Sequence, residues 1–131
     1  MGSRPLLLDT HTLLWWLLDH PRLSAKAKTA IAESNRRVMV SSASGWELAI
    51  KVQNAKWQEA NGLIEQLPQL LRKERFELLP MGLEHALAAG KLPGPHRDPF
   101  DRMLMAQAQI ERAVVVTVDT VFAEYQVPTL W

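Results

Sequence analysis

The chain has 131 residues, no cysteine, and a formal net charge of +1 from 15 basic and 14 acidic side chains. This length fits one domain, residues 1–131, able to bury a core without covalent staples. The missing cysteines exclude disulfides, thiolate metal sites and a cysteine nucleophile, and the near-neutral charge excludes a nucleic-acid binder that works through bulk charge alone.

Nothing at the start of the chain resembles a secretory signal, because Met1-Gly2-Ser3-Arg4 does not lead into a long apolar region with a cleavage site. No apolar run approaches the ~20 residues that span a bilayer, so no membrane is expected and the expected location is cytoplasmic. Leu6-Leu7-Leu8 reads as a buried strand closed by Asp9. Residues 10–18 are apolar on nearly every side and suit a buried helix ending before Pro21. Ser24 reads as the N-cap of a helix to about residue 33. Val38-Met39-Val40 is a second buried strand, and a helix starts at Ser42 or Ser44 and runs to about residue 54. Residues 57–74 are expected to be helical in part, broken near Pro68. Phe76-Glu77-Leu78-Leu79 reads as an edge strand stopped by Pro80, followed by a short helix over 82–91 and a loop over 92–99. Residues 101–112 form a helix, 114–118 form the most β-branched strand of the chain, and Asp119 follows it. A short helix and a last strand near Pro128-Thr129-Leu130 complete the order.

Strands alternating with helices, the strands apolar throughout, predict a parallel sheet covered on both faces. Ligands of such sheets gather at the carboxyl ends of the strands. Asp9 and Asp119 each follow a strand and so stand at the same sheet edge, although either alone reads equally as a helix N-cap. Glu47 lies about one turn into a helix, at the border of its apolar stripe. Its plainer role is an exposed pair with Lys51 at i+4. Asp98 and Asp101 bracket Pro99-Phe100. Pro99 suits the first helical position with Asp98 as cap, leaving Asp101 in the first turn facing the cluster. Acids grouped in this way need a counter-charge. Oxygen donors without cysteine or a close histidine pair point to Mg²⁺ or Mn²⁺ rather than Zn²⁺.

The stretches Leu6-Leu7-Leu8-Asp9-Thr10-His11, Ser44-Gly45-Trp46-Glu47-Leu48-Ala49-Ile50-Lys51, His96-Arg97-Asp98-Pro99-Phe100-Asp101-Arg102-Met103-Leu104-Met105-Ala106-Gln107-Ala108 and Thr117-Val118-Asp119 resemble the successive motifs of PIN-domain nucleases. The nearest likeness is to VapC-type toxins of bacterial type II toxin–antitoxin pairs, and it extends to the final Val127-Pro128-Thr129-Leu130-Trp131. The resemblance implies a three-layer α/β/α sandwich around a mostly parallel sheet of about five strands. It implies a Mg²⁺- or Mn²⁺-dependent endoribonuclease, usually a homodimer, acting on RNA and held inactive by a cognate antitoxin. The family's catalytic and metal-ligating acids map onto Asp9, Glu47, Asp101 and Asp119. Asp101 is taken over Asp98 because it stands just before Met103-Leu104-Met105-Ala106.

Further residues flank these acids. Thr10 and Thr117 either orient a carboxylate or bond backbone at a strand end. Arg97 and Arg102, with His96, either meet phosphate or lie on a solvated loop. His11 sits where many relatives carry a small polar residue, and its simplest role is packing. His20 and His85 have no evident partner. Trp15, Trp16 and Trp46 are expected in the core, whereas Trp57 is expected to be exposed at a partner surface. Arg36-Arg37 and Arg72-Lys73 read as solvated faces. Three other functions remain compatible with the residues. One is a PIN-like nuclease with a housekeeping RNA or structured-DNA substrate, another an aspartate phospho-acceptor, and the third a non-catalytic module that binds metal or antitoxin.

Overall fold

The computed structural model describes residues 3–33 and 35–131, so Met1 and Gly2 of the opening segment lie outside the described residues. The order is β1 (Leu6–Leu8), α1 (Thr10–Leu17), α2 (Ala25–Ala32), β2 (Val38–Ser41), α3 (Ser42–Gln53), a 3₁₀ turn (Gln58–Ala60), α4 (Leu63–Lys73), β3 (Glu77–Leu79), α5 (Leu83–Lys91), α6 (Pro99–Glu111), β4 (Val114–Val116), α7 (Val121–Glu124) and β5 (Thr129–Leu130). The strands form one sheet in the order β3-β2-β1-β4-β5, and every pairing is parallel.

Strand side chains alternate between the two faces of a sheet, and here both faces are apolar. Leu6, Leu8, Val38, Val40 and Val116 pack on one side with Leu13 and Leu14 of α1, Ile31 of α2, Leu48 of α3 and Leu71 of α4. Leu7, Met39 and Val115 pack on the other with Leu104, Met105 and Ala108 of α6 and Phe122 of α7. The uninterrupted apolar runs are therefore the signature of a sheet buried between two helical layers. The α/β/α sandwich expected from the sequence is present, with a wholly parallel sheet.

Several local expectations change. Residues 114–118 are a strand only to Val116, because β1 ends opposite it in the register Leu8 to Val116. Beyond that point pairing with β1 stops, one further bond runs from the Thr117 N–H to the Leu130 carbonyl at 3.2 Å, and Val118 is exposed. Pro68 does not break its helix: α4 runs through it. Pro68 lies on the exposed side, where water can take the carbonyl that a proline leaves without a donor. Trp46 is 57% exposed rather than core. Ala43, Ser44 and Leu48 make the buried stripe of α3, and Trp46 lies on the far side of the helix. Its ring meets Phe100 edge-on at 5.1 Å. His85 is buried and partnered, accepting from the Gly82 N–H at Nδ1 (3.0 Å) and lying 3.0 Å from the Glu111 carboxylate at Nε2. His20 Nδ1 accepts from the Arg22 N–H, and its ring stacks on Trp15.

Candidate active site

β1 is the central strand, and the chain leaves it toward β2 and β3 on one side before returning to β4 and β5 on the other. Such a reversal opens a crevice at the carboxyl ends of the strands, here between β1 and β4. Asp9 stands at that point, 8% exposed, and does two things at once. It caps α1, accepting the Thr12 N–H at 2.8 Å through Oδ1, while its Oδ2 accepts the Thr117 hydroxyl. The cap and the site are therefore not alternatives. The Thr12 hydroxyl donates to the Val116 carbonyl at 2.7 Å and holds α1 against the end of β4.

Asp98 caps α6 by accepting from the N–H groups of Phe100 (2.9 Å) and Asp101 (3.1 Å), with Pro99 at the start of the helix. Asp98 is thus the cap of α6 and Asp101 occupies its first turn, and both line the same pocket. Asp101 Oδ2 lies 2.8 Å from His96 Nε2. Burial pushes its carboxyl up to about 6 against the opposing His96 hydrogen bond, with the charges of Asp98 and Asp119 adding to the rise. Burial likewise raises Glu47, helped by the Asp98 charge and opposed by a hydrogen bond from Thr10 and by the charges of Lys51 and His11. Thr10 Oγ1 is also 3.1 Å from Ser44 Oγ, which joins the start of α1 to α3 beneath Glu47. Asp119 is exposed on the loop after β4, its N–H donating to Thr117 Oγ1 and its Oδ1 accepting from the Val121 N–H, both at 3.0 Å.

One pocket of about 440 Å³ is lined by Asp9, Glu47, Asp98, Asp101 and Asp119, together with Thr10 and His11. Asp9, Glu47, Asp101 and Asp119, separated along the chain, thus line one pocket together with Asp98. Arg97 and Arg102 do not line it. Arg102 is instead engaged with backbone: its guanidinium donates to the carbonyls of Ala89 (3.2 Å), His96 (2.9 Å) and Leu92. These bonds close the loop that carries His96 to Asp101. Gly94 makes that loop possible. Its φ of +96° suits glycine, and a Cβ there would collide with the Tyr125 ring, whose hydroxyl accepts the His96 N–H at 3.0 Å.

Residues 6–128 match the PIN domain family. The chain belongs to the PIN-domain family. As a PIN domain it is 30% identical over 131 residues to Ribonuclease VapC22 of Mycobacterium tuberculosis (strain ATCC 25618 / H37Rv), covering 95% of this chain and 97% of that one. Its fold is similar to that of VapBC2 from Rickettsia felis bound to a promoter DNA fragment, with a TM-score of 0.71 at 20% identity over 95% of this chain and 96% of that one. FitAcB from Neisseria gonorrhoeae is similar to the same degree, with a TM-score of 0.71 at 22% identity over 96% of each chain.

The acids of this PIN domain fit a hard divalent cation by donor chemistry. All are oxygen donors, and Asp101 and Glu47 are held above the usual carboxylate range by burial and neighbouring negative charge. A cation would remove that penalty. Among the described residues no three Asp, Glu or His side chains close on one point.

The remaining wall of the pocket was not legible as part of the site. It includes Trp15, Arg22, Lys51 and Trp57. The one available signal was Lys51, which lies at i+4 from Glu47 and so shares its helix face. Among the described residues it forms no ion pair with Glu47; its Nζ sits 5.4 Å from the Trp57 ring centroid.

Proposed function

We propose that this PIN domain is a Mg²⁺- or Mn²⁺-dependent endoribonuclease that hydrolyses RNA phosphodiester bonds, and that it is the toxin of a type II toxin–antitoxin pair. The observation that carries this reading is the convergence of Asp9, Glu47, Asp98, Asp101 and Asp119 on one pocket at the carboxyl edge of the sheet. The likeness to a protein named as a ribonuclease supports RNA as substrate. The likeness to the VapBC2 and FitAcB structures supports a cognate antitoxin as partner. Residues 1–131 act as a single nuclease domain, working in the cytoplasm as a homodimer. No helix among the described residues is long and apolar enough to cross a membrane.

Asp9, Glu47, Asp101 and Asp119 are the catalytic acids and the metal ligands in this reading. These four would hold a divalent cation, which would supply Lewis-acid activation of water and charge neutralisation at the phosphodiester. Asp9 presents a fixed carboxylate because Thr12 and Thr117 each occupy one of its oxygens. Asp98 holds the first turn of α6, and with it the backbone of Asp101. His96 fixes the orientation of the Asp101 carboxylate through Oδ2. Thr10 lines the same pocket and ties the start of α1 to α3 through Ser44.

Purified protein incubated with total RNA should cut it in Mn²⁺, with discrete ends on mapping. Cutting should stop in chelator and in the Asp9→Asn protein. Cleavage that persists unchanged in chelator, or in Asp9→Asn, rejects the proposal.

A further inference from the structure

The pocket is lined by more than acids. Three aromatic rings and two cations share it with them: His11, Trp15 and Trp57, with Lys51 and Arg22. His11 and Trp15 are four residues apart on α1 and so share a face, with ring centroids 5.4 Å apart at 39°. Trp57 enters from the segment after α3, its ring 4.6 Å from that of His11 at 53°. The three rings are tilted against one another; His20 stacks on Trp15 at 5.8 Å and 25°, and Lys51 Nζ lies 5.4 Å from the Trp57 centroid, which leaves His11 the most open of the three. His11 is exposed, and Trp15 and Trp57 are half-buried.

We infer that this corner is a stacking site for an unpaired base of single-stranded RNA, next to the phosphate that is cut. The inference rests on the nuclease reading above and adds to it a base-binding subsite built from this chain's own residues beside the acids. A chain of net charge +1 cannot draw RNA by bulk attraction. Aromatic faces bind bases of any identity, and they do so beside local cations that meet the flanking phosphates. Lys51, over Trp57, and Arg22, in the same pocket, are placed for that contact. A duplex keeps its bases stacked on one another and offers none to these rings.

Trp15 and Trp57 also pack against the larger core cluster, so the test must separate stacking from packing. The probe is a short single-stranded RNA, intact or carrying one abasic nucleotide at each position in turn. It is titrated into Asp101→Asn protein with Mn²⁺ present, and tryptophan fluorescence is read. Quenching is expected, with much weaker binding of the same strand in a duplex. Trp57→Leu, which keeps an apolar side chain, should weaken binding about tenfold. One abasic position should weaken binding to the Trp57-containing protein by a similar factor and cost the Trp57→Leu protein nothing further. His11→Ala, at an exposed position, should lose several-fold and serves equally if Trp57→Leu does not fold. Affinity within about twofold of the parent for these variants, or abasic losses that simply multiply with theirs, overturns the inference. If wild-type protein cuts no RNA, the nuclease reading fails on its own, while the binding titration still decides the stacking site.

Discussion

The Thr117 hydroxyl donates to the Asp9 carboxylate and accepts from the N–H of Asp119, so one side chain orients acids that follow two different strands. A single hydroxyl proton serves Asp9, and a lone pair of the same oxygen holds the loop bearing Asp119. Valine matches threonine in shape but can do neither. Thr117→Val should reduce metal-activated cleavage by about ten- to hundredfold, the usual cost of removing a group that orients a metal ligand. Thr117→Ser should restore most of it. The check is Mn²⁺ dependence of cleavage for the three proteins. Equal Mn²⁺ response in wild type and Thr117→Val would count against this orienting role.

Asp101 makes the metal-free fold depend on pH. Its carboxyl titrates at about 6 in the folded chain against an ordinary 3.8. Between those values the folded state holds the proton more tightly than the unfolded one, so stability falls as pH rises through the interval. The destabilisation is absent below about pH 4 and complete above about pH 6. In chelator the melting temperature should therefore rise by on the order of a few degrees on going from pH 7 to pH 4.5, after the general acid loss common to the other carboxylates is subtracted. Asp101→Asn should flatten that component and abolish cleavage. Thermal melts of both proteins across the range decide it: identical pH profiles would contradict the assignment.

Arg102 closes the 92–96 loop through three carbonyls rather than meeting phosphate. Arg102→Met keeps much of the aliphatic stem and removes the donors. Charged donors to backbone acceptors are each worth roughly 1.5–3 kcal/mol, and a loss of about 2–3 kcal/mol is expected because solvent can reach part of the loop. His96 should lose its fixed place beside Asp101 as the loop loosens. Denaturant unfolding measures the first effect and amide exchange over residues 92–98 the second. A variant as stable as wild type but weaker in RNA binding would return Arg102 to a phosphate role.

Trp46 tests the corrected burial. A fully buried tryptophan truncated to alanine costs about 3–5 kcal/mol. An exposed one meeting a single ring edge-on should cost about 0.5–1.5 kcal/mol. Trp46→Ala should fall in the lower range by denaturant unfolding. A cost above 3 kcal/mol would mean that something covers this face in solution.

Much of the site was already visible as a pattern of residues. Asp9 after a strand, Asp101 behind a proline at a helix start and Glu47 beside an apolar stripe are local statements, and local rules suffice for them. Asp119 was placed at the right edge, although the strand before it is two residues shorter than its β-branched run suggests. Strand length depends on the neighbour, and β1 ends opposite Val116. His85 looked unpartnered for the same reason: Glu111 lies 26 residues away and reaches it only because α5 packs on α6.

The sequence by itself determined that strands and helices alternate, that the sheet is buried on both faces, and which acids follow strand ends or open helices. These features depend on hydrophobic period and on capping within a few residues, which the order of side chains records directly. Tertiary structure alone decided that Thr117 reaches Asp9, that Arg102 turns to the backbone, and that His11, Trp15, Trp57 and Lys51 line the same pocket as the carboxylates. Those relations join segments far apart in the chain, and only the packing of helices on the sheet brings their side chains within contact distance.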